Sequence, residues 1–168
     1  MSIKVGDQLP QGNLAEFIEV ESAGCALGPN SFSVADLVKG KTIAILAVPG
    51  AFTPTCSVSH LPGYRDHFEH FKAKGVDEIW CISVNDPFVM GAWGREQNVA
   101  GKVRMMADGS CDFTEKLGMT FDLISRGLGV RSQRYSMLVK DGVVTQFNLD
   151  APGKFEVSDA ATLLNQLG

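Results

Sequence analysis

Pro49-Gly50-Ala51-Phe52-Thr53-Pro54-Thr55-Cys56-Ser57 joins the apolar run Thr42-Ile43-Ala44-Ile45-Leu46-Ala47-Val48 to a stretch with helical spacing over residues 55–74. The apolar run reads as a buried strand, so Cys56 falls in the first turn of a helix just past a strand's carboxyl end. Free backbone N–H groups and the helix dipole at that position stabilise a thiolate. A thiolate is the form in which cysteine acts as a nucleophile at neutral pH. Cys56 and His60 stand four residues apart and share a helix face. Cys25, Cys81 and Cys111 are the remaining cysteines, and no two of the four have CxxC spacing. A zinc site would need a second ligand pair besides Cys56 and His60, so no metal is expected. A chain this long and this poor in cysteine does not fit a disulfide-stapled secreted domain.

The 168 residues suit one domain, spanning 1–168, with a core of useful size. The net charge of -4 is mild, and no Lys/Arg cluster points to nucleic acid or an anionic membrane surface. No apolar run approaches the roughly 18 residues needed to span a bilayer. Met1-Ser2-Ile3-Lys4-Val5-Gly6-Asp7 lacks an apolar signal core, so a cytoplasmic location is expected. Gly127-Leu128-Gly129 lacks a following Lys-Ser/Thr and does not join a strand to a helix, so it is not a phosphate loop and no cofactor is expected.

The elements that must position Cys56 follow from the surrounding pattern. Residues 1–40 read as an N-terminal extension of short strands with turns at Gly24, Gly28, Pro29 and Asn30. Ser33 is expected to cap a short helix over 34–38, ended by Gly40. The Cys56 helix carries Leu61, Tyr64, Phe68 and Phe71 on one face and stops at Gly75. Residues 78–84 form a second buried strand, and Asn85-Asp86-Pro87 opens a helix through about Gln97. A third strand over 103–107 turns at Asp108-Gly109-Ser110 into a short helix near 113–117. A Gly-rich loop over 126–130 precedes a hairpin, 135–140 and 143–148, around Asp141-Gly142. Ser158 is expected to cap a last helix over 159–167. The order βαβαβα, then ββα, predicts an α/β fold with a parallel core and added antiparallel strands. A right-handed βαβ crossover places Cys56 at the carboxyl edge of the sheet, where sites of α/β proteins gather.

The loop Pro49 to Cys56 resembles the active-site loop of the peroxiredoxins, in the form typical of the peroxiredoxin 5 (plant type II) subfamily. The likeness continues through His60-Leu61-Pro62-Gly63, Gly75-Val76-Asp77-Glu78-Ile79 and Cys81-Ile82-Ser83-Val84-Asn85-Asp86-Pro87-Phe88-Val89-Met90. It takes in Ala107-Asp108-Gly109-Ser110 and Arg131-Ser132-Gln133-Arg134-Tyr135, and so covers nearly the whole chain in order. The resemblance implies a thioredoxin-like fold: a mixed central sheet flanked by helices, with an N-terminal extension. Thioredoxin-type oxidoreductases carry CxxC at the start of this helix, where the chain has Thr53 in the first position. They also carry a cis-proline before the hairpin, and this chain has no proline between Arg126 and Asp150.

The resemblance implies a thiol peroxidase in which Cys56 attacks the O–O bond of hydrogen peroxide and organic hydroperoxides. In that likeness Thr53 reaches the sulfur and the peroxide, Arg134 is the distal arginine that orients peroxide oxygens, and Pro49 shields Cys56 from bulk water. Arg131 is the rival to Arg134, or its assistant, or the partner of a helix carboxylate. His60 is expected near the site without acting as a base. Phe52, Leu128 and Phe88 are candidate walls of the substrate pocket and equally candidate core residues. Animal members carry a resolving cysteine near the C-terminus, but Gly153-Lys154-Phe155-Glu156-Val157-Ser158 has none. Plant-type members have a second cysteine where Cys81 stands, yet its strand context predicts burial, which disfavours it as the resolving residue. A one-cysteine cycle is therefore expected, with glutaredoxin and glutathione, or thioredoxin, as electron donor. A homodimer through a face near the active-site loop is implied as well. Two alternatives use the same sulfur: a peroxide-sensing regulator, which would turn over slowly, and a thiol-disulfide oxidoreductase.

Overall fold

The computed structural model describes residues 2–20 and 25–168. Gly24, one of the expected turn positions, lies outside the described residues. A seven-stranded sheet carries the fold, in the order β2-β1-β5-β4-β3-β8-β9. Its members are β1 (Asn13–Ile18), β2 (Gly28–Ser33), β3 (Thr42–Val48), β4 (Glu78–Ser83), β5 (Arg104–Ala107), β8 (Tyr135–Lys140) and β9 (Val143–Leu149). The central strands β3, β4 and β5 run parallel, and β1, β2, β8 and β9 add antiparallel neighbours on both sides. This is the mixed sheet that the alternating pattern predicts.

The inner strands are apolar on both faces because helices cover both sides. On β3, Ala44, Leu46 and Val48 join one core with Cys56, Leu61, Tyr64 and Trp93, while Ile43, Ile45 and Ala47 join the other with Trp80 and Phe113. On β4 the same alternation sends Ile79 and Cys81 to the first core and Trp80 and Ile82 to the second. The helices are α1 (Val34–Val38), α2 (Leu61–Asp66), α3 (Phe68–Ala73), α4 (Pro87–Glu96), α5 (Asp112–Leu117) and α6 (Ala160–Gln166). Asp86 caps α4 by accepting from Val89 N at 2.9 Å, with Pro87 in the first turn as expected. The hairpin turn holds Asp141 at φ 48° and Gly142 at φ 83°, the left-handed pair of a two-residue turn.

Four expectations need correction. Ser33 stands at the start of α1, but its hydroxyl makes no cap bond. The cap of α6 is Asp159, which accepts from Thr162 N at 3.2 Å; Ser158 is occupied elsewhere. The Gly-rich segment is not a bare loop. β6 (Thr120–Leu123) and β7 (Gly129–Ser132) pair antiparallel around a 3-10 turn, Ile124–Arg126. The helix expected over 55–74 is divided into a π-helical turn, Cys56–His60, then α2 and α3, with the break at His67. Pro62 accounts for the first division. It has no N–H, and its ring would strike the Val58 carbonyl in an α-helical register. The wider turn, in which Leu61 N donates to Cys56 O, relieves that crowding.

Candidate active site

The Cys56 loop leaves the carboxyl end of β3 and is anchored from three sides. Ala51 N donates to Asn85 Oδ1 at 3.0 Å, just beyond the end of β4. Thr53 Oγ1 donates to Gly50 O at 2.7 Å, and Ser57 N donates to Thr53 O at 2.9 Å. From β7, Arg131 donates through Nη1 to Pro49 O at 3.3 Å and through Nε to Leu128 O at 2.7 Å. A methyl group on Gly50 would lie 2.8 Å from Arg131 Nη1, so a side chain there would push the guanidinium out of this position. Phe52 sits at φ 64°, a left-handed conformation that costs a non-glycine residue about 1–2 kcal/mol and persists only when surrounding bonds enforce it.

Cys56 is fully buried, and its sulfur accepts a hydrogen bond from Arg134 Nη2 at 3.1 Å. Arg134 is itself tightly held. Its Nη1 donates to His60 Nδ1 at 2.9 Å, its carbonyl accepts from Asp150 N at 3.0 Å, and its guanidinium lies 5.8 Å from the centre of the Phe155 ring. His60 Nε2 is 3.0 Å from Ser158 O, a carbonyl that can only accept, so Nε2 carries the proton and Nδ1 offers its lone pair to the arginine. Burial, and then the Arg134 charge, push the His60 pKa down to about 3, so the ring is neutral at physiological pH. Tyr64 also donates to Ser158 O, at 2.8 Å, and burial raises its hydroxyl pKa.

The chain segment over 150–158 folds across this group. Asp150 Oδ1 accepts from Glu156 N and Val157 N, each at 2.8 Å, and its Oδ2 accepts from the Ser158 hydroxyl. The closed loop brings Phe155 to 4.9 Å from His60, ring centre to ring centre. A cavity of about 420 Å³ opens beside it. Pro49, Thr53 and Arg134 line it, together with Leu128, Phe121 and Phe155. Because the Thr53 hydroxyl gives its proton to Gly50 O, its oxygen is free to accept from a guest.

Thr53, Arg134 and Pro49 thus line one cavity, with Leu128 on its wall, while Cys56 lies buried behind that lining and is joined to it through Arg134. Phe52 is not part of the lining: its side chain is 51% exposed and sits 6.4 Å from Trp93. Phe88 packs against Phe17 instead, with ring centres 5.8 Å apart. Arg131 binds backbone carbonyls and, among the described residues, pairs with no helix carboxylate. Cys81 lies fully buried in β4, and its thiol pKa is raised well above the ordinary value by burial first and by the nearby Cys56 second. Cys25 is half-buried, Cys111 is buried, and all four cysteines are free thiols. The anchors Asn85, Asp150, Phe155 and Ser158 are absent from the sequence-based set. The stretch 153–158 is singled out in sequence only by its missing cysteine and by Ser158 as an expected helix cap, and nothing in its local spacing links it to His60.

Residues 4–164 match the redoxin family. Peroxiredoxin-2B of Arabidopsis thaliana is 46% identical over 165 residues, covering 98% of each chain. The structure of reduced Prx3 from Vibrio vulnificus in complex with hydrogen peroxide superposes with a TM-score of 0.91, at 46% identity over 99% of both chains. A structure from Burkholderia cenocepacia, 59% identical with a TM-score of 0.99 over 100% of this chain and 99% of that one, is described provisionally as a thioredoxin reductase. That activity would call for a redox dithiol or its equivalent, and this chain has no CxxC. With one thiol bound to a half-buried arginine on a thioredoxin-like scaffold and full-length likeness to curated relatives, the chain belongs to the peroxiredoxins of the redoxin family, peroxidase enzymes of the peroxiredoxin 5 and plant type II kind.

Proposed function

We propose that the protein reduces hydrogen peroxide and organic hydroperoxides through Cys56 in a one-cysteine cycle. The contact that carries this reading is Arg134 Nη2 on Cys56 Sγ at 3.1 Å, beside a cavity that Thr53 and Arg134 line. A guanidinium donor at that range makes a charge-assisted hydrogen bond to a sulfur anion. A hydroperoxide has one O–H donor and two acceptor oxygens. Thr53 supplies the acceptor for the proton, and Arg134 supplies donors for the oxygens. Both groups are fixed before the substrate arrives, the condition for electrostatic stabilisation of the transition state. His60, neutral and bonded on both nitrogens, acts as a positioning residue for Arg134 and not as a base.

The Cys56 thiolate attacks the terminal peroxide oxygen. The S–O bond forms as the O–O bond breaks, and the departing oxygen takes a proton and leaves as water or an alcohol. Cys56 is oxidised to the sulfenic acid. A first external thiol condenses with it, forming a mixed disulfide and releasing water. A second thiol then attacks that disulfide and restores the Cys56 thiolate. The donor class is glutaredoxin with glutathione, or thioredoxin. Burial of Cys81 disfavours an internal disulfide. Exposed Phe52 and Phe88 support a homodimer contact beside the active-site loop.

Mass spectrometry after one equivalent of peroxide, with no reductant, tests the cycle. The sulfenic acid adds about 16 Da on Cys56, whereas an internal disulfide removes about 2 Da. Peroxide turnover by Cys56→Ser above about one hundredth of the parent rate would remove Cys56 from the nucleophile's role.

A further inference from the structure

The cavity beside Arg134 is far larger than hydrogen peroxide requires. It encloses about 420 Å³, against about 30 Å³ for a water molecule in the liquid. Most of its wall is apolar: Pro49, Phe121, Leu123, Leu128, Pro152 and Phe155. Two cationic side chains, Arg126 and Lys154, also line it, from exposed positions on the 3-10 turn and on the loop over 150–158. Among the described residues neither forms an ion pair or a side-chain hydrogen bond. Asp150 is the single acidic residue on the wall. Its carboxylate is buried and already accepts from Glu156 N, Val157 N and the Ser158 hydroxyl, so it does not neutralise the two cations.

We infer that the preferred substrate is a hydroperoxide with an apolar body that ends in a carboxylate, which Arg126 and Lys154 bind at the cavity's exposed rim. This deepens the peroxidase reading and rests on it. The peroxide end needs the Thr53 and Arg134 pair, the body fills the space between Leu128, Phe121 and Phe155, and the far end carries the charge that the two free cations match. Arg126 and Lys154 are specificity residues, and they take no part in breaking the O–O bond. The chemistry is unchanged: the carboxylated alcohol leaves, Cys56 becomes the sulfenic acid, and an external thiol reduces it.

The test compares cumene hydroperoxide bearing a para-carboxylate with its methyl ester, using dithiothreitol as the reductant. The parent protein is expected to reduce the acid about threefold to tenfold faster than the ester in kcat/KM, the range that two solvent-exposed charge pairs supply. Raising the salt from about 0.02 M to about 0.5 M should shrink that ratio by screening. The double variant Arg126→Gln, Lys154→Gln should bring it to about one, and Lys154→Glu alone should lower it. Equal rates for acid and ester in the parent, or a ratio untouched by the double variant, would overturn the inference. In a parallel series with glutathione replacing dithiothreitol, a double variant whose sole change is a higher KM for that anionic thiol would overturn it too, since the cations would then serve the reductant. Hydrogen peroxide turnover by the parent is measured in the same series. Its absence would sink the peroxidase reading itself, a result distinct from loss of the acid preference.

Discussion

Replacement of His60 by glutamine should flatten a specific part of the protein's acid instability. His60 is fully buried between Arg134 Nη1, at 2.9 Å, and Ser158 O, at 3.0 Å. Its pKa falls from an ordinary 6.5 to about 3 in the folded protein, chiefly through burial and secondly through the Arg134 charge. The folded state therefore resists a proton that the unfolded chain accepts. Where the unfolded state binds more protons, stability rises with pH. His60 contributes no penalty above the unfolded pKa, and one that grows as pH falls from about 6.5 towards about 3. Each pH unit in that window is worth about 1.4 kcal/mol. At about pH 5 the loss should be about 2 kcal/mol relative to about pH 7.5. Urea unfolding of the parent and of His60→Gln at both pH values isolates it, because the half-buried His67, the exposed His70 and every carboxylate are common to both proteins. The parent should lose about 2 kcal/mol more than the variant between the two conditions. Parallel losses would mean that His60 either binds a proton in the folded state or is not buried against the arginine, and the neutral positioning role would fail. Glutamine keeps a donor for Ser158 O and an acceptor for Arg134, so the variant is expected to fold.

Arg131→Ala should lower kcat/KM about tenfold through loss of the Pro49 and Leu128 carbonyl bonds, with faster amide exchange at Ala51 and Thr53 as its signature; unchanged exchange in the loop would remove Arg131 from its anchoring role. Cys81→Ser should leave peroxide turnover with glutaredoxin within about twofold of the parent, since a fully buried thiol of raised pKa is a poor attacking group; loss of turnover in a variant that still folds would assign Cys81 the resolving step.

The sequence alone determined the fold class and singled out the sulfur proposed to react. The continuous apolar runs of β3 and β4 and the turn residues at Asp141-Gly142 are local signals, and each element they predict is present. The strand-to-helix loop ending in Cys56 is contiguous in the chain, so its chemistry was legible before any contact was known. Thr53 and Pro49 lie in that same loop; the resemblance implies their roles, and both line the cavity.

Only the tertiary structure decided what surrounds the sulfur. Arg134 reaches Cys56 from 78 positions away, and Ser158 reaches His60 from 98 away, so no local periodicity encodes either bond. Phe52 and Leu128 looked alike as apolar loop residues. The left-handed backbone at Phe52 leaves its ring beside Trp93 and outside the cavity lining, while the β6–β7 hairpin presents Leu128 to the cavity. Asp150 reads in sequence as an ordinary strand-end carboxylate. Its bonds to Glu156, Val157 and Ser158 close the loop that carries Phe155 and Lys154 to the site. Side-chain type and local spacing fix which group can react, whereas the distances that hold it ready arise only when segments remote in the chain pack on the same sheet edge.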